Sequence, residues 1–73
     1  MQEQLLTALK QEIEQQYSQE YDHASVQFDE LLPAEGNTVR LQFTITKGDS
    51  FVTRYYGKAA YRNRLWDVDV RAI

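Results

Sequence analysis

Val39-Arg40-Leu41-Gln42-Phe43-Thr44-Ile45-Thr46-Lys47-Gly48-Asp49-Ser50-Phe51-Val52-Thr53-Arg54-Tyr55-Tyr56-Gly57 is the stretch whose reading decides the fold. Val39, Leu41, Phe43 and Ile45 alternate with Arg40, Gln42, Thr44 and Thr46, so residues 39–46 read as a strand with one buried face. Gly48-Asp49 is a dipeptide suited to a tight hairpin turn, which makes residues 51–57 the antiparallel partner. Two registers compete. A two-residue loop pairs Ile45 with Val52 and Phe43 with Arg54, sending Arg54 to the buried face. A three-residue loop over Gly48, Asp49 and Ser50 pairs Ile45 with Thr53 and Phe43 with Tyr55, leaving Arg54 in water. A slip of one residue reverses every side chain, and an unpaired buried guanidinium is destabilising by several kcal/mol, so the second register is expected.

Outward from this hairpin, Trp66, Val68, Val70 and Ala72 alternate with Asp67, Asp69 and Arg71, and residues 65–73 form another strand. Val26 and Phe28 alternate with Gln27 and Asp29, which predicts a strand over 25–31 ahead of the breaker-rich loop Leu32-Pro33-Ala34-Glu35-Gly36-Asn37. Lys58-Ala59-Ala60-Tyr61-Arg62-Asn63 has no clear period; it extends the third strand, or makes a loop or a short helical turn. At the other end, Leu5, Leu6, Leu9, Ile13, Tyr17 and Tyr21 recur at spacings of three and four against Glu3, Lys10, Gln11, Glu14, Gln15 and Ser18. This predicts one amphipathic helix over about residues 2–20, too short in its stripe for a long coiled coil.

The expected fold is therefore α+β: one N-terminal amphipathic helix packed on one face of a three- to four-stranded antiparallel β-meander, filling residues 1–73 as a single domain. Leu9, Ile13, Val39, Leu41, Phe43, Trp66 and Val68 are its expected core. A chain of 73 residues builds only a small core, and with no cysteine it has neither disulfides nor a thiolate metal site to reinforce it. Homo-oligomerisation is the expected source of further burial. The N-terminus has no signal-peptide pattern and no stretch long and apolar enough to span a membrane, so the default expectation is a cytoplasmic protein with no membrane partner.

Charge is unevenly divided. Residues 1–38 hold Glu3, Glu12, Glu14, Glu20, Asp22, Asp29, Glu30 and Glu35 against Lys10, a net −7, and residues 39–73 have a net +4, giving the chain its −3. The second half includes Arg54, Tyr55, Tyr56, Lys58, Tyr61, Arg62 and Arg64, a basic and aromatic run that is the candidate interaction surface. Cations neutralise phosphates and aromatic rings stack on bases, so such a run suits single-stranded nucleic acid. The negative total charge and the neighbouring Asp67 and Asp69 oppose that use, and internal ion pairing of Arg54, Lys58, Arg62 and Arg64 is the favoured expectation.

His23 beside Asp22 is too little for a metal site or a base–orienter pair, and reads as an exposed loop histidine. Asp67 and Asp69 share a strand face without a nucleophile near them in sequence, which points to cross-strand ion pairing. Gly36, Gly48 and Gly57 are too dispersed for a phosphate-binding loop. These features point away from an enzyme and from any cofactor. The expected role is a small protein–protein interaction or regulatory module that is a homodimer. Two other readings fit parts of the sequence: a nucleic-acid-binding module using residues 54–66, and an acidic decoy whose helix carboxylates occupy a partner's basic groove.

Overall fold

The computed structural model describes residues 2–73. Helix α1, Glu3–Glu20, is followed by strands β1 (Ser25–Pro33), β2 (Thr38–Lys47), β3 (Ser50–Arg62) and β4 (Leu65–Ala72). The strands form one antiparallel sheet in the order β1-β2-β3-β4, a meander of sequential neighbours. The expected α+β arrangement holds, with four strands rather than three.

The helix buries Leu9, Ile13 and Tyr17, one residue per turn along a single stripe. It ends in a Schellman motif: His23 N–H donates to the Ser18 carbonyl at 2.7 Å and Asp22 N–H to the Gln19 carbonyl. Asp22 and His23 take the positive φ values, 54° and 65°, that this reversal needs. The Asp22-His23 dipeptide is thus occupied in stopping the helix.

The hairpin register unites the two alternatives. Lys47 pairs with Ser50 across a two-residue Gly48-Asp49 turn, yet Ile45 pairs with Thr53 and Phe43 with Tyr55, because Val52 is an extra residue between them. The bulge supplies the one-residue offset that the longer loop was expected to give, and it keeps Arg54 off the helix side. A second bulge at Asp29, between the pairs Phe28–Phe43 and Glu30–Gln42, brings Leu31 rather than Glu30 opposite Leu41. β1 runs two residues past its expected end at residue 31, to Pro33.

Residues 58–62 continue β3. Ala60 pairs with Thr38 on one side and with Asp67 on the other, and Tyr61 N–H donates to the Asn37 carbonyl. The strand is cryptic in sequence because its inner residues there, Gly57 and Ala59, are small. Gly57 has a steric reason: a Cβ there would collide with the Asp69 carbonyl and the Val70 Cα of β4.

Leu9, Ile13, Tyr17, Ala24, Val39, Leu41, Phe43, Ile45 and Ala59 form the buried core. Tyr17 sits 5.1 Å from Phe43 and 4.9 Å from Tyr55 between ring centroids, an aromatic junction of helix, β2 and β3. Trp66 and Val68, expected in the core, only pack against it and stay half-buried. The helix comes nearest to β1, so β4 at the far edge receives partial cover.

Leu41, 2% exposed, and Leu32, 54% exposed, provide a matched test of this layering. Leu41→Ala should lower unfolding free energy by about 2–5 kcal/mol, and Leu32→Ala should change it by no more than about 0.5 kcal/mol, as read from urea midpoints. Equal losses would contradict the assignment of the two faces.

Candidate functional site: the bare face of the sheet

Strand alternation puts Tyr55, Gly57, Ala59 and Tyr61 on the helix side, and Arg54, Tyr56, Lys58 and Arg62 on the opposite side. No element of the described residues covers that opposite face. Register lays out its side chains in rows across the strands. One row runs Leu32, Arg40, Lys58, Asp69, and the next Glu30, Gln42, Tyr56, Arg71. Thr44 and Arg54 make a third, with Asp29 of the β1 bulge reaching into it.

The third row is internally satisfied. Arg54 Nε donates to Thr44 Oγ1 at 3.1 Å, Thr44 Oγ1 donates to Asp29 Oδ2 at 2.5 Å, and the Arg54–Asp29 ion pair closes at 3.8 Å. Thr44 is only 6% exposed although it lies on the uncovered face, because these side chains fold over it. The Arg54 guanidinium also lies 5.8 Å from the Phe51 ring centre.

The central rows differ. Tyr56 is 46% exposed and forms, with Arg40, Gly57, Lys58, Asp69 and Arg71, a shallow groove of about 440 Å³. Among the described residues the ion pairs are Lys47–Asp22 (3.3 Å), Arg54–Asp29 (3.8 Å) and Arg62–Asp67 (3.7 Å). Arg40, Lys58 and Arg71 thus surround an exposed aromatic ring without a carboxylate in ion-pair contact. Of the expected internal pairs, Arg62–Asp67 forms, Arg54 takes Asp29, and Lys58 and Arg64 form none among the described residues.

The seven residues of the basic-aromatic run therefore separate. Arg54, Tyr56, Lys58 and Arg62 share the bare face. Tyr55 is internal: its hydroxyl meets that of Tyr21 at 2.5 Å, and its ring stacks near Phe43 at 5.4 Å. Tyr61 lies on the helix side against Trp66, at 5.2 Å between rings. Arg64 sits in the β3–β4 turn, where Asn63 and Arg64 both have positive φ, 52° and 64°, as a type I′ hairpin demands. Arg40 and Arg71, absent from the sequence-based list, are brought to Tyr56 by register. The signal was present in the outward-facing sets of 39–46 and 65–73, but only the pairing of strands joins them.

The helix acids Glu3, Glu12, Glu14 and Glu20 lie exposed, away from this face. Among the described residues, no cluster of carboxylates and histidine could hold a metal ion, and no helix is long and apolar enough to cross a membrane. No protein-family model, curated protein or solved structure matches the chain.

The hydrogen bond to Tyr21, followed by burial, raises the ionisation of Tyr55 well above the ordinary tyrosine range, and burial raises that of Tyr17. A phenol with a raised folded-state pKa holds its proton more tightly folded than unfolded. Its contribution is complete below about pH 10 and is lost as pH climbs through the folded-state value. Thermal melts should therefore show stability falling above about pH 10, with a shallower fall and a loss of about 1 kcal/mol at neutral pH in Tyr55→Phe. An unchanged alkaline slope would contradict this role. In the β3–β4 turn, Arg64→Gly should raise stability by about 1 kcal/mol in chemical unfolding, because glycine has no Cβ penalty at positive φ.

Proposed function

We propose that the chain is a protein–protein interaction module, binding rather than catalytic, whose recognition surface is the bare sheet face centred on Tyr56. The observation that carries this reading is the half-exposed Tyr56 ring set among Arg40, Lys58 and Arg71, cations left without ion-pair partners among the described residues. An aromatic anchor bordered by guanidinium groups is the composition of a protein-binding hot spot. The chemistry suits a partner surface that presents carboxylates around an apolar side chain.

Asp67, Asp69 and Glu30 on the same face favour a protein over a nucleic acid. They interrupt the positive charge that a phosphate backbone would follow, and the chain as a whole is at −3. Self-association belongs to the same reading, since a domain of this size gains burial from a second copy. A cytoplasmic setting is part of this proposal, and the cysteine-free composition is compatible with it.

A photo-cross-linking residue placed at Tyr56, compared with one at Gln11 on the outer helix, tests the surface in cells. We expect protein adducts from position 56 that disappear on combining Arg40→Ala with Arg71→Ala, and no comparable adducts from position 11. Equal yields from both positions would overturn the assignment of the face. Salt-sensitive, sub-micromolar binding of random single-stranded oligonucleotide would replace the protein partner with a nucleic acid.

A further inference from the structure

Among the described residues the sheet has two free edges, and they are built differently. β1 is broken by the Asp29 bulge and ends in Pro33, both of which spoil an edge for further pairing. β4 has neither. Its register with β3 runs unbroken from Leu65 opposite Arg62 to Ala72 opposite Tyr55.

Which backbone groups β4 offers follows from one bond. Ile73 N–H donates to the Arg54 carbonyl at 2.9 Å, so the odd-numbered residues of β4 bond inward to β3. Trp66, Val68, Val70 and Ala72 consequently turn their N–H and C=O groups outward, where the sheet has no further strand among the described residues. On the bare face the same strand carries Asp67, Asp69 and Arg71, of which Asp69 and Arg71 have no ion-pair partner among the described residues.

We propose that a second copy of this chain pairs antiparallel with the free edge of β4 across a twofold axis at Val70, joining the two sheets edge to edge. This rests on the self-association part of the preceding reading and commits it to one edge and one register. A twofold axis normal to the sheet places each residue opposite a residue on the same face, so the pairing must centre on a residue. Centring on Val68 sets Asp67 against the partner's Asp69, twice over. Centring on Asp69 or on Arg71 sets that residue against its own copy. Centring on Val70 sets Asp69 against the partner's Arg71 and Arg71 against the partner's Asp69, with no like charges directly opposed.

The backbone agrees with this choice. Val70 with the partner's Val70, and Val68 with the partner's Ala72, become hydrogen-bonded pairs using the outward groups. Asp69 and the partner's Arg71 fall at a non-hydrogen-bonded pair, where facing side chains come closest. On the helix side, Val68 and Val70 extend their half-buried apolar surface across the junction. On the other side the two bare faces merge, with both Tyr56 rings on one surface.

Analytical ultracentrifugation of the full chain tests the pairing, with circular dichroism to show that each variant is folded. We expect a wild-type dimer. Asp69→Arg alone and Arg71→Asp alone, each opposing like charges at two places, should weaken dimerisation at least about tenfold. Mixing the two single variants should restore a dimer, since each then supplies the charge the other needs. Val70→Pro removes an outward N–H and no bond to β3, so it should give a folded monomer and serves if a charge variant fails to fold. A wild-type chain that stays monomeric at millimolar concentration would overturn self-association and this interface together. A dimer that persists in the unmixed charge variants or in folded Val70→Pro would overturn this edge and leave self-association standing.

Discussion

A four-stranded sheet has two faces, and among the described residues this chain has one helix with which to cover them. The stripe of Leu9, Ile13 and Tyr17 is the cover available among the described residues, so Val39, Leu41, Phe43 and Ile45 must all point the same way for a core to exist. The other face is consequently left to water and is mainly polar and charged, with Leu32 and Leu65 exposed among its residues. The division between a sealed side and a bare side is therefore set by the chain's small supply of apolar surface, and the candidate site occupies the side left over.

Keeping that division intact requires control of register, because an error of one residue would exchange the faces. Two bulges provide it, one on each strand flanking β2. Val52 shifts the hairpin so that Arg54 leaves the core side, and Asp29 shifts β1 so that Leu31 joins it. The bulged Asp29 then reaches Thr44 and, through it, Arg54, a polar latch across three strands. The latch uses one end of the bare face for structure, whereas the cations around Tyr56 form no ion pair among the described residues.

Much of this was legible in the sequence. Period-two alternation announced β2 and β4, period 3.6 announced the helix, and the desolvation of Arg54 selected the right hairpin pairs. What was hidden has physical causes. Small inner residues, Gly57 and Ala59, erase the alternation that would have marked the continuation of β3, although a close backbone approach to β4 is the reason one of them is glycine. The Asp29 bulge breaks the period and conceals the end of β1. Trp66 and Val68 show that alternation reports which face a residue takes but not how far the helix extends over it. For the site, the linear run 54–64 combined residues from both faces and a turn, whereas the actual neighbours of Tyr56 come from three strands.

The meander has a kinetic consequence. Each strand pairs with the one beside it in sequence, so no long loop must close before a pairing can form. A low contact order of this kind favours rapid folding for a protein with so much sheet. The helix is different, for its stripe packs on a surface assembled from several strands, with Tyr17 set against Phe43 of β2 and Tyr55 of β3. Folding of the chain is thus expected to be limited by the arrival of its first element upon its middle ones, and substitutions at Tyr17 should register in the rate of folding as well as in the final stability.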